Sequence, residues 1–206
     1  AALDGKPEMA RHAAQTKQQE LKLMRETDVT LVVSAAEREL LVRELPTRHI
    51  EVLSNVHAVH GCRKPFAERR DLVFIGGFQH PPNIDAVCWF VGEVMPLLRA
   101  DTSAPRLHVI GSKVPAEILA LAADDVIVHG FVPDIAPYLD DARLSVAPLR
   151  YGAGVKGKIN MAMSYGLPVV ATPVAVEGMH ARPGVDVIVA ETAADFAAAI
   201  RRGYDD

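Results

Sequence analysis

The sequence predicts an α/β fold in which helices cover both faces of a parallel β-sheet, and two observations lead to that prediction. Short segments such as residues 72–75 and 144–147 are continuously apolar, as strands buried on both faces usually are. Segments of helical length lie between them, so that strands and helices alternate along the chain. This alternation is typical of parallel strands joined by crossover helices.

The predicted elements follow a regular order from residue 71 onward. Strands are predicted at residues 72–75, 106–110, 125–129, 144–147, 168–171 and 185–189. Helices are predicted at residues 81–98, 115–122, 134–139 and 157–165, and a last helix from Thr192 is predicted to stop within residues 203–206. Residues 172–179 are predicted as a loop. The order indicates a Rossmann-like sheet, in which ligands lie outside the carboxyl ends of the strands.

The beginning of the chain has a less regular pattern. A polar helix is predicted at residues 8–27, and short strands are predicted at residues 29–33 and 50–53. Between the two strands, Ser34 is followed by Glu37, a capping box that predicts the start of a helix at this point.

These patterns divide the chain into three parts. One or two strands cannot build a core, so we interpret residues 1–54 as the tail of a neighbouring domain. Residues 55–70 are interpreted as a linker and residues 71–206 as a ligand-binding domain. The chain begins with Ala1 and not with Met, and we expect it to be part of a longer protein.

Composition and charge narrow the possible functions. The 206 residues carry a formal net charge of −4, which does not favour nucleic acid as a partner. The two cysteines, Cys62 and Cys88, are too few for a disulfide framework and fit a reducing, cytoplasmic compartment. No apolar run reaches the ~18 residues that a membrane-spanning helix needs.

The glycine-rich loop at residues 150–158 is the most informative stretch of the chain. It follows a predicted strand and opens a predicted helix, so its backbone N–H groups can approach a ligand closely. Lys156 and Lys158 add positive charge, and Arg150 is a third candidate cation. The loop therefore predicts an anion site, most naturally for phosphate. Solvated lysines on an ordinary glycine-rich turn are the alternative interpretation.

Two nucleotide-binding templates fit this loop in part. The spacing of Gly152, Gly154 and Gly157, with Glu177 twenty positions further on, fits the dinucleotide fingerprint of oxidoreductases. That fingerprint belongs to the first strand–helix turn of its fold, whereas this loop comes late. A P-loop would require Ser or Thr after Lys158, where Ile159 stands, so a nucleotide hydrolase is not expected.

A series of motifs, read in order, gives a more specific resemblance. The segments are DLVFIGG from Asp71, PNIDAV from Pro82, LHVIG from Leu107, VHGFVPD from Val128, PLRYGAGVKGKINMAM from Pro148, GLPVVAT from Gly166 and VEGM from Val176. Together they resemble the C-terminal domain of the retaining family-4 glycosyltransferases, which have a two-Rossmann-domain (GT-B) architecture. Residues 20–55 resemble the end of the other, acceptor-side domain in these enzymes.

The resemblance implies a donor-binding role for this domain. A nucleoside diphosphate sugar would be the substrate, and no metal or other cofactor would be needed. Lys156, Lys158 and Glu177 would act at the reacting centre, with the lysines neutralising the leaving diphosphate. The implied donor-binding residues are Gly76, Gly77, Gly111, Gly130, Val132, Arg150, Gly152, Gly154, Val155, Gly157, Asn160 and Gly178.

The sequence also departs from the family pattern. Many members carry two glutamates eight residues apart, where this chain has Ala153 and Met161. Because the second glutamate binds the ribose, a non-catalytic domain that has lost donor binding is an alternative. Many members also carry an Arg and a Lys after the first strand. Residues 78–83 contain neither, although His80 and Asn83 could donate to phosphate.

Further expectations concern the whole protein. The acceptor is a glycan, a lipid or a small molecule, and this chain alone is expected to be inactive because the acceptor-side domain is largely absent. Membrane association is expected only through that domain, at the inner membrane face. A metal site at His57, His60 and Cys62 is not expected, because the spacing matches no common zinc motif. His129 is expected to be structural or to line the site.

Overall fold

The computed structural model of this protein describes residues 7–100 and 104–205. The chain divides into two compact units at the peptide bond between Asn55 and Val56. Among the described residues, no helix has both the length and the apolar character needed to cross a membrane.

The first unit contains two helices and a two-stranded parallel sheet. Its elements are α1 (Pro7–Glu26), β1 (Thr30–Val32), α2 (Ala35–Glu44) and β2 (Ile50–Val52). Thr30 pairs with Ile50. A small core of Val32, Leu45 and Ile50 lies between these elements, so this segment does bury some apolar surface of its own.

The predicted start of α2 is confirmed. The Ser34 hydroxyl accepts a hydrogen bond from the backbone N–H of Glu37 at 3.2 Å. The Glu37 carboxylate accepts one from the backbone N–H of Val33 at 3.1 Å. The Glu37 N–H, which the helix terminus leaves unpaired, is thereby satisfied, and the Glu37 side chain also binds the residue before the N-cap.

The second unit is built on a six-stranded parallel sheet, which confirms the predicted Rossmann-like α/β fold. The strands are β3 (Arg70–Ile75), β4 (Leu107–Ile110), β5 (Val126–Gly130), β6 (Ala142–Ala147), β7 (Val169–Ala171) and β8 (Ile188–Val189). Their order is β5-β4-β3-β6-β7-β8. All six residues of β6 are buried, as expected for a central strand covered on both faces.

Helices surround this sheet. They are α3 (Pro81–Trp89), a π-helical turn (Phe90–Val94), α4 (Met95–Leu98), α5 (Ala116–Leu119), α6 (Ala136–Asp141), α7 (Gly157–Ser164), α8 (Pro173–Val176) and α9 (Ala193–Asp205). The single helix predicted at residues 81–98 is present as three consecutive segments. A 3₁₀ turn (Phe66–Glu68) precedes β3.

One detail of the helix prediction is wrong. The segment predicted as a loop at residues 172–179 contains α8, which begins because the Thr172 hydroxyl accepts from the N–H of Ala175 at 3.1 Å. The last helix continues to Asp205, within the segment where it was predicted to stop. A Cβ at Gly203 would lie 2.9 Å from the Leu144 side chain, so the glycine allows α9 to pack closely on β6.

The start of α9 and its packing are also set by side chains. Thr192 and Asp195 form a reciprocal capping box, with N–H to side-chain oxygen distances of 3.1 Å in each direction. One turn later, Phe196 is fully buried and makes edge-to-face contacts with Trp89 and Phe90. These contacts fix α9 against the long helical segment that follows β3.

Candidate functional site

The strand order reverses between β3 and β6, and the candidate site lies at the carboxyl ends of these strands. From β3 the chain continues outward to β4, whereas from β6 it continues in the opposite direction to β7. The loops that follow β3 and β6 therefore leave the sheet in opposite directions. The crevice between such loops is the usual ligand site of an open parallel sheet.

The loops after β3, β4 and β5 lie very close together. The N–H of Gly76 donates to Ile110 O at 2.9 Å, and the N–H of Gly111 donates to Gly130 O at 2.9 Å. A Cβ at Gly111 would lie 1.9 Å from Gly76 O, so only glycine fits there. Gly130 has a φ of 72°, a value that glycine adopts readily. Three of the predicted site glycines thus adjoin one another and shape one wall of the crevice.

The glycine-rich loop after β6 has the irregular backbone that its sequence predicts. Gly152 and Gly154 have φ values of 125° and 78°. A Cβ at Gly152 would lie 3.5 Å from the Pro82 ring, so this loop approaches the start of α3. The Lys156 ammonium donates to Gly154 O at 2.6 Å. Val155 lies between these residues and is partly buried.

Helix α7 begins at Gly157, directly after this loop, and presents its first N–H groups at the sheet edge. Lys156 is the N-cap residue, and its side chain does not accept a capping hydrogen bond from these N–H groups. A helix terminus without a side-chain cap carries a partial positive charge that favours an anion. Asn160 and Met161 lie in the following part of α7, and both are partly buried.

Lys158 reaches from α7 across the crevice to the elements that follow β3. Its Nζ atom lies 2.5 Å from Asn83 Oδ1 and 4.6 Å from the centroid of the Phe74 ring. A Cβ at Gly76 would lie 2.9 Å from the same Nζ. Burial, together with the nearby charge of Lys156, lowers the pKa of Lys158 to about 7.

Arg150 is held by a carboxylate. It forms a two-point ion pair with Asp85 of α3, in which Arg150 Nε lies 2.9 Å from Asp85 Oδ2. The hydrogen bond to Asp85 raises the pKa of Arg150 further above its usual value. The pair joins the glycine-rich loop to α3, and it neutralises the charge that the sequence suggested for an anion.

The remaining predicted residues follow β3, β5 and β7 at the same edge. Val132 is partly buried, two residues beyond β5. Glu177 is exposed and caps the end of α8, and Gly178 follows with a φ of 74°. The Gly77 carbonyl accepts a hydrogen bond from the Asn83 side chain at 2.7 Å. The described residues contain no group of three or more His, Cys, Asp or Glu side chains placed to hold a metal ion.

A second polar cluster begins at Asp71, at the amino end of β3, and extends across β4 to His129 of β5. It was not predicted as a unit. The Asp71 carboxylate accepts from Arg106 Nη2 at 2.7 Å and lies 3.3 Å from His108 Nε2. His108 Nδ1 lies 2.8 Å from His129 Nε2, and the two rings are stacked. His129 is thus part of a network that joins three strands. No local sequence signal points to this network, because it depends on strand order and register.

Several solved structures have a fold similar to that of this chain. A mutant of S. aureus TarM, solved with fondaparinux, α-GlcNAc-glycerol and UDP, has a TM-score of 0.78 at 17% identity, over 93% of this chain and 40% of that one. Anabaena Alr3699/HepE, solved with UDP and glucose, has a TM-score of 0.69 at 14% identity, over 92% of this chain and 58% of that one.

A third similar structure is sucrose-phosphate synthase from Thermosynechococcus elongatus. Its TM-score is 0.68 at 18% identity, over 91% of this chain and 51% of that one. The chain thus spans between 40% and 58% of the length of these three structures. A search of curated proteins finds no match.

The sequence family is shown by a separate match. The family model of the group 1 glycosyl transferases matches residues 69–206, which include the whole six-stranded sheet. Since this match covers more than half of the chain, the protein belongs to the group 1 glycosyl transferases, and its second unit is a Rossmann-like domain of the GT-B type.

Proposed function

We propose that this chain carries the donor-binding domain of a glycosyl transferase that moves a sugar from a nucleoside diphosphate sugar to an acceptor. We further propose that the enzyme is family-4-like, that it retains the anomeric configuration, and that this domain is its C-terminal half. The observation that carries the proposal is Lys158, a cation at the crevice between β3 and β6 that has no carboxylate partner among the described residues.

The charge of the site favours a diphosphate. Lys158 and Lys156 lie on or before the first turn of α7, next to N–H groups that a helix leaves unpaired. Lys156 lowers the pKa of Lys158, so the two ammonium groups repel each other in the free protein. An anion between them would remove that repulsion. Two joined phosphates match both the charge and the extent of such a site.

The same groups would assist bond breaking. When the glycosidic bond of the donor breaks, negative charge develops on the leaving diphosphate. Fixed cations and N–H groups that face this charge lower the barrier, because they need no reorganisation during the reaction. Lys156, Lys158 and the start of α7 would supply that stabilisation without a metal. Glu177 and Gly178, at the same sheet edge, would face the sugar.

Uracil is the first base to test, because TarM and HepE were each solved with UDP. The backbone at Gly130 and Val132, beyond β5, would meet the base. We propose that the acceptor binds elsewhere in the longer protein, and that the 206-residue chain alone does not transfer sugar.

The proposal can be tested by thermal shift and isothermal titration with UDP, GDP, ADP, their glucose conjugates and NADH. A ligand that binds only the folded state raises the melting temperature by mass action. We expect one nucleoside diphosphate and its sugar conjugate to shift the wild type. Lys158→Ala should weaken this binding by roughly a hundredfold, since losing one partner of a buried charge contact costs about 2–5 kcal/mol.

Two matched variants make the result specific. Lys22→Ala removes an exposed lysine of α1 and should leave nucleotide binding unchanged. Arg150→Ala should weaken binding much less than Lys158→Ala, because Asp85 already neutralises Arg150. A shift with NADH alone would instead favour the dinucleotide-binding alternative. Binding that appears only in a Met161→Glu variant would favour a domain that has lost its donor site.

A further inference from the structure

We infer that Asn83 is the positioning residue for Lys158, and that the donor diphosphate binds together with a proton that Lys158 takes up. This inference rests on the proposed donor-binding function. It adds a residue that holds the cation in place, and it predicts a proton exchange that can be measured separately from affinity.

The orientation of Asn83 is set by its two partners. Its side chain is buried in the first turn of α3, with 7% of the residue exposed. The Gly77 carbonyl can only accept a hydrogen bond, so the Asn83 side-chain nitrogen must face it, at 2.7 Å. The side-chain oxygen is thereby directed to Lys158 Nζ. Asn83 thus joins the loop after β3 to the first turn of α7.

The groups around Lys158 Nζ leave it little space and do not balance its charge. Phe74 of β3 offers an aromatic face, Gly76 leaves room for the ammonium, and Asn83 of α3 offers one neutral oxygen. The charged group that acts on Lys158 is Lys156, which repels it. The acid of α3, Asp85, is paired with Arg150. A bound diphosphate would therefore provide a counter-charge that the described side chains around Lys158 do not supply.

This arrangement predicts that Lys158 takes up a proton when a diphosphate binds. In the free protein the pKa of Lys158 is about 7, because burial and Lys156 disfavour its charged form. Two phosphate charges beside the ammonium would raise that pKa, because an opposite charge favours the protonated form. At about pH 8 most Lys158 side chains are neutral before binding and would gain a proton on binding. At about pH 6 they are already protonated, so little uptake remains.

Isothermal titration with UDP-glucose tests this balance, with GDP-glucose and ADP-glucose titrated in parallel. These donors suit the test because their diphosphate groups do not titrate near neutral pH. Titrations in two buffers with different ionisation enthalpies give the number of protons exchanged. For the wild type we expect uptake of roughly one proton at pH 8 and close to none at pH 6, given a free pKa of about 7.

Three variants test whether Asn83 positions Lys158 or only stabilises the fold. Asn83→Ala should weaken donor binding by roughly ten- to a hundredfold, as expected for a lost hydrogen bond to a charged group. Gln79→Ala removes an exposed amide from the loop between β3 and α3 and should change neither affinity nor proton uptake. Lys158→Arg keeps a charge that does not titrate, so any binding it retains should occur without proton uptake at about pH 8.

The possible outcomes distinguish this inference from the proposed function. If the wild type binds a donor without buffer-dependent heat at about pH 8, or if Asn83→Ala binds as tightly as Gln79→Ala, the inference is overturned and the donor-binding proposal stands. If no donor binds the wild type, both are overturned. An NMR titration of the Lys158 side chain in the free wild type needs no folded variant. A midpoint near the pKa of about 7 supports the inference, and a midpoint above about 10 contradicts it.

Discussion

At the amino ends of the parallel strands a carboxylate has charged partners, whereas at the carboxyl ends a cation has no counter-ion among the described residues. Near the amino ends, Asp71 has the guanidinium and backbone N–H of Arg106 and the ring of His108 as partners. At the carboxyl ends, the partly buried Lys158 faces a neutral amide oxygen and an aromatic ring. The first arrangement satisfies a carboxylate and stabilises the fold. The second leaves a cation without a counter-ion among the described residues, a cost to folding that a bound anion would offset.

The pKa shifts of Asp71 and Lys158 reflect this difference: the protein favours the charged form of Asp71 and disfavours the charged form of Lys158. Burial by itself would raise the pKa of Asp71, but the hydrogen bonds from His108 and Arg106 outweigh it and hold that pKa well below its usual value. Burial lowers the pKa of Lys158, and the repulsion from Lys156 acts in the same direction. A buried group such as Lys158, whose pKa is shifted because its charged form is disfavoured, indicates a functional site.

The largest expected effect is a loss of stability when Gly111, at the carboxyl edge of the sheet, is replaced. Gly111→Ala would place a Cβ 1.9 Å from Gly76 O, and the backbone there cannot yield without disturbing the strand ends. We expect a loss of about 3 kcal/mol or more in the free energy of unfolding, at the upper end of the cost of overpacking. Urea denaturation of the variant and the wild type measures this difference.

Gly92→Ala is the matched control. Gly92 lies in the π-helical turn, and a Cβ there would meet no atom within 4 Å. Alanine is favoured over glycine in helices by up to about 1 kcal/mol, so this variant should be as stable as the wild type or more stable. Equal destabilisation by both substitutions would show that the close approach of Gly111 to Gly76 has no special importance.

The second prediction concerns the cost of holding Lys158. Lys158→Met keeps the aliphatic volume and removes the charge, so it should stabilise the unliganded fold by about 1–3 kcal/mol. It should weaken nucleotide binding by roughly a hundredfold, as Lys158→Ala should. The folded pKa of about 7 lies below the ordinary lysine value. The penalty is therefore complete below about pH 7 and is relieved as pH rises toward about 10.

Urea denaturation at about pH 6, 8 and 9.5 checks this sign. The difference in stability between Lys158→Met and the wild type should be largest at the lowest of these pH values and smallest at the highest. A variant that is less stable than the wild type at about pH 6 would mean that Lys158 stabilises the fold. The contrast between the two ends of the strands would then fail.

The sequence predicted what depends on local patterns. The strands, the alternating helices and the Ser34 cap follow from apolar runs and capping residues, and the glycine-rich loop identified the start of α7. The partner of Lys158 could not be predicted, because Asn83 is 75 residues away and meets it only through the strand order. The same holds for Asp85, which lies 65 residues from Arg150. Helix α8 was missed because so short a segment carries little periodicity.

The smallest predicted effect concerns the amino ends. Asp71 has a φ of 65°, which Asn tolerates, so Asp71→Asn removes the charge without straining the backbone. We expect a loss of about 1–2 kcal/mol at about pH 7, in line with hydrogen bonds between charged groups that are partly exposed. Nucleotide affinity should not change, because the substituted group lies at the other end of its strand from the candidate site.

The pH dependence of this variant shows whether the carboxylate is the cause. Since the folded pKa of Asp71 is depressed, its contribution is complete above the unfolded value of about 4 and is lost as pH falls below it. The stability difference between the wild type and Asp71→Asn should therefore be constant from about pH 5 to 7 and should shrink below about pH 4. A difference that persists unchanged at about pH 3 would assign the effect to the amide itself. The stabilisation at the amino ends would then come from packing and not from the charge of Asp71.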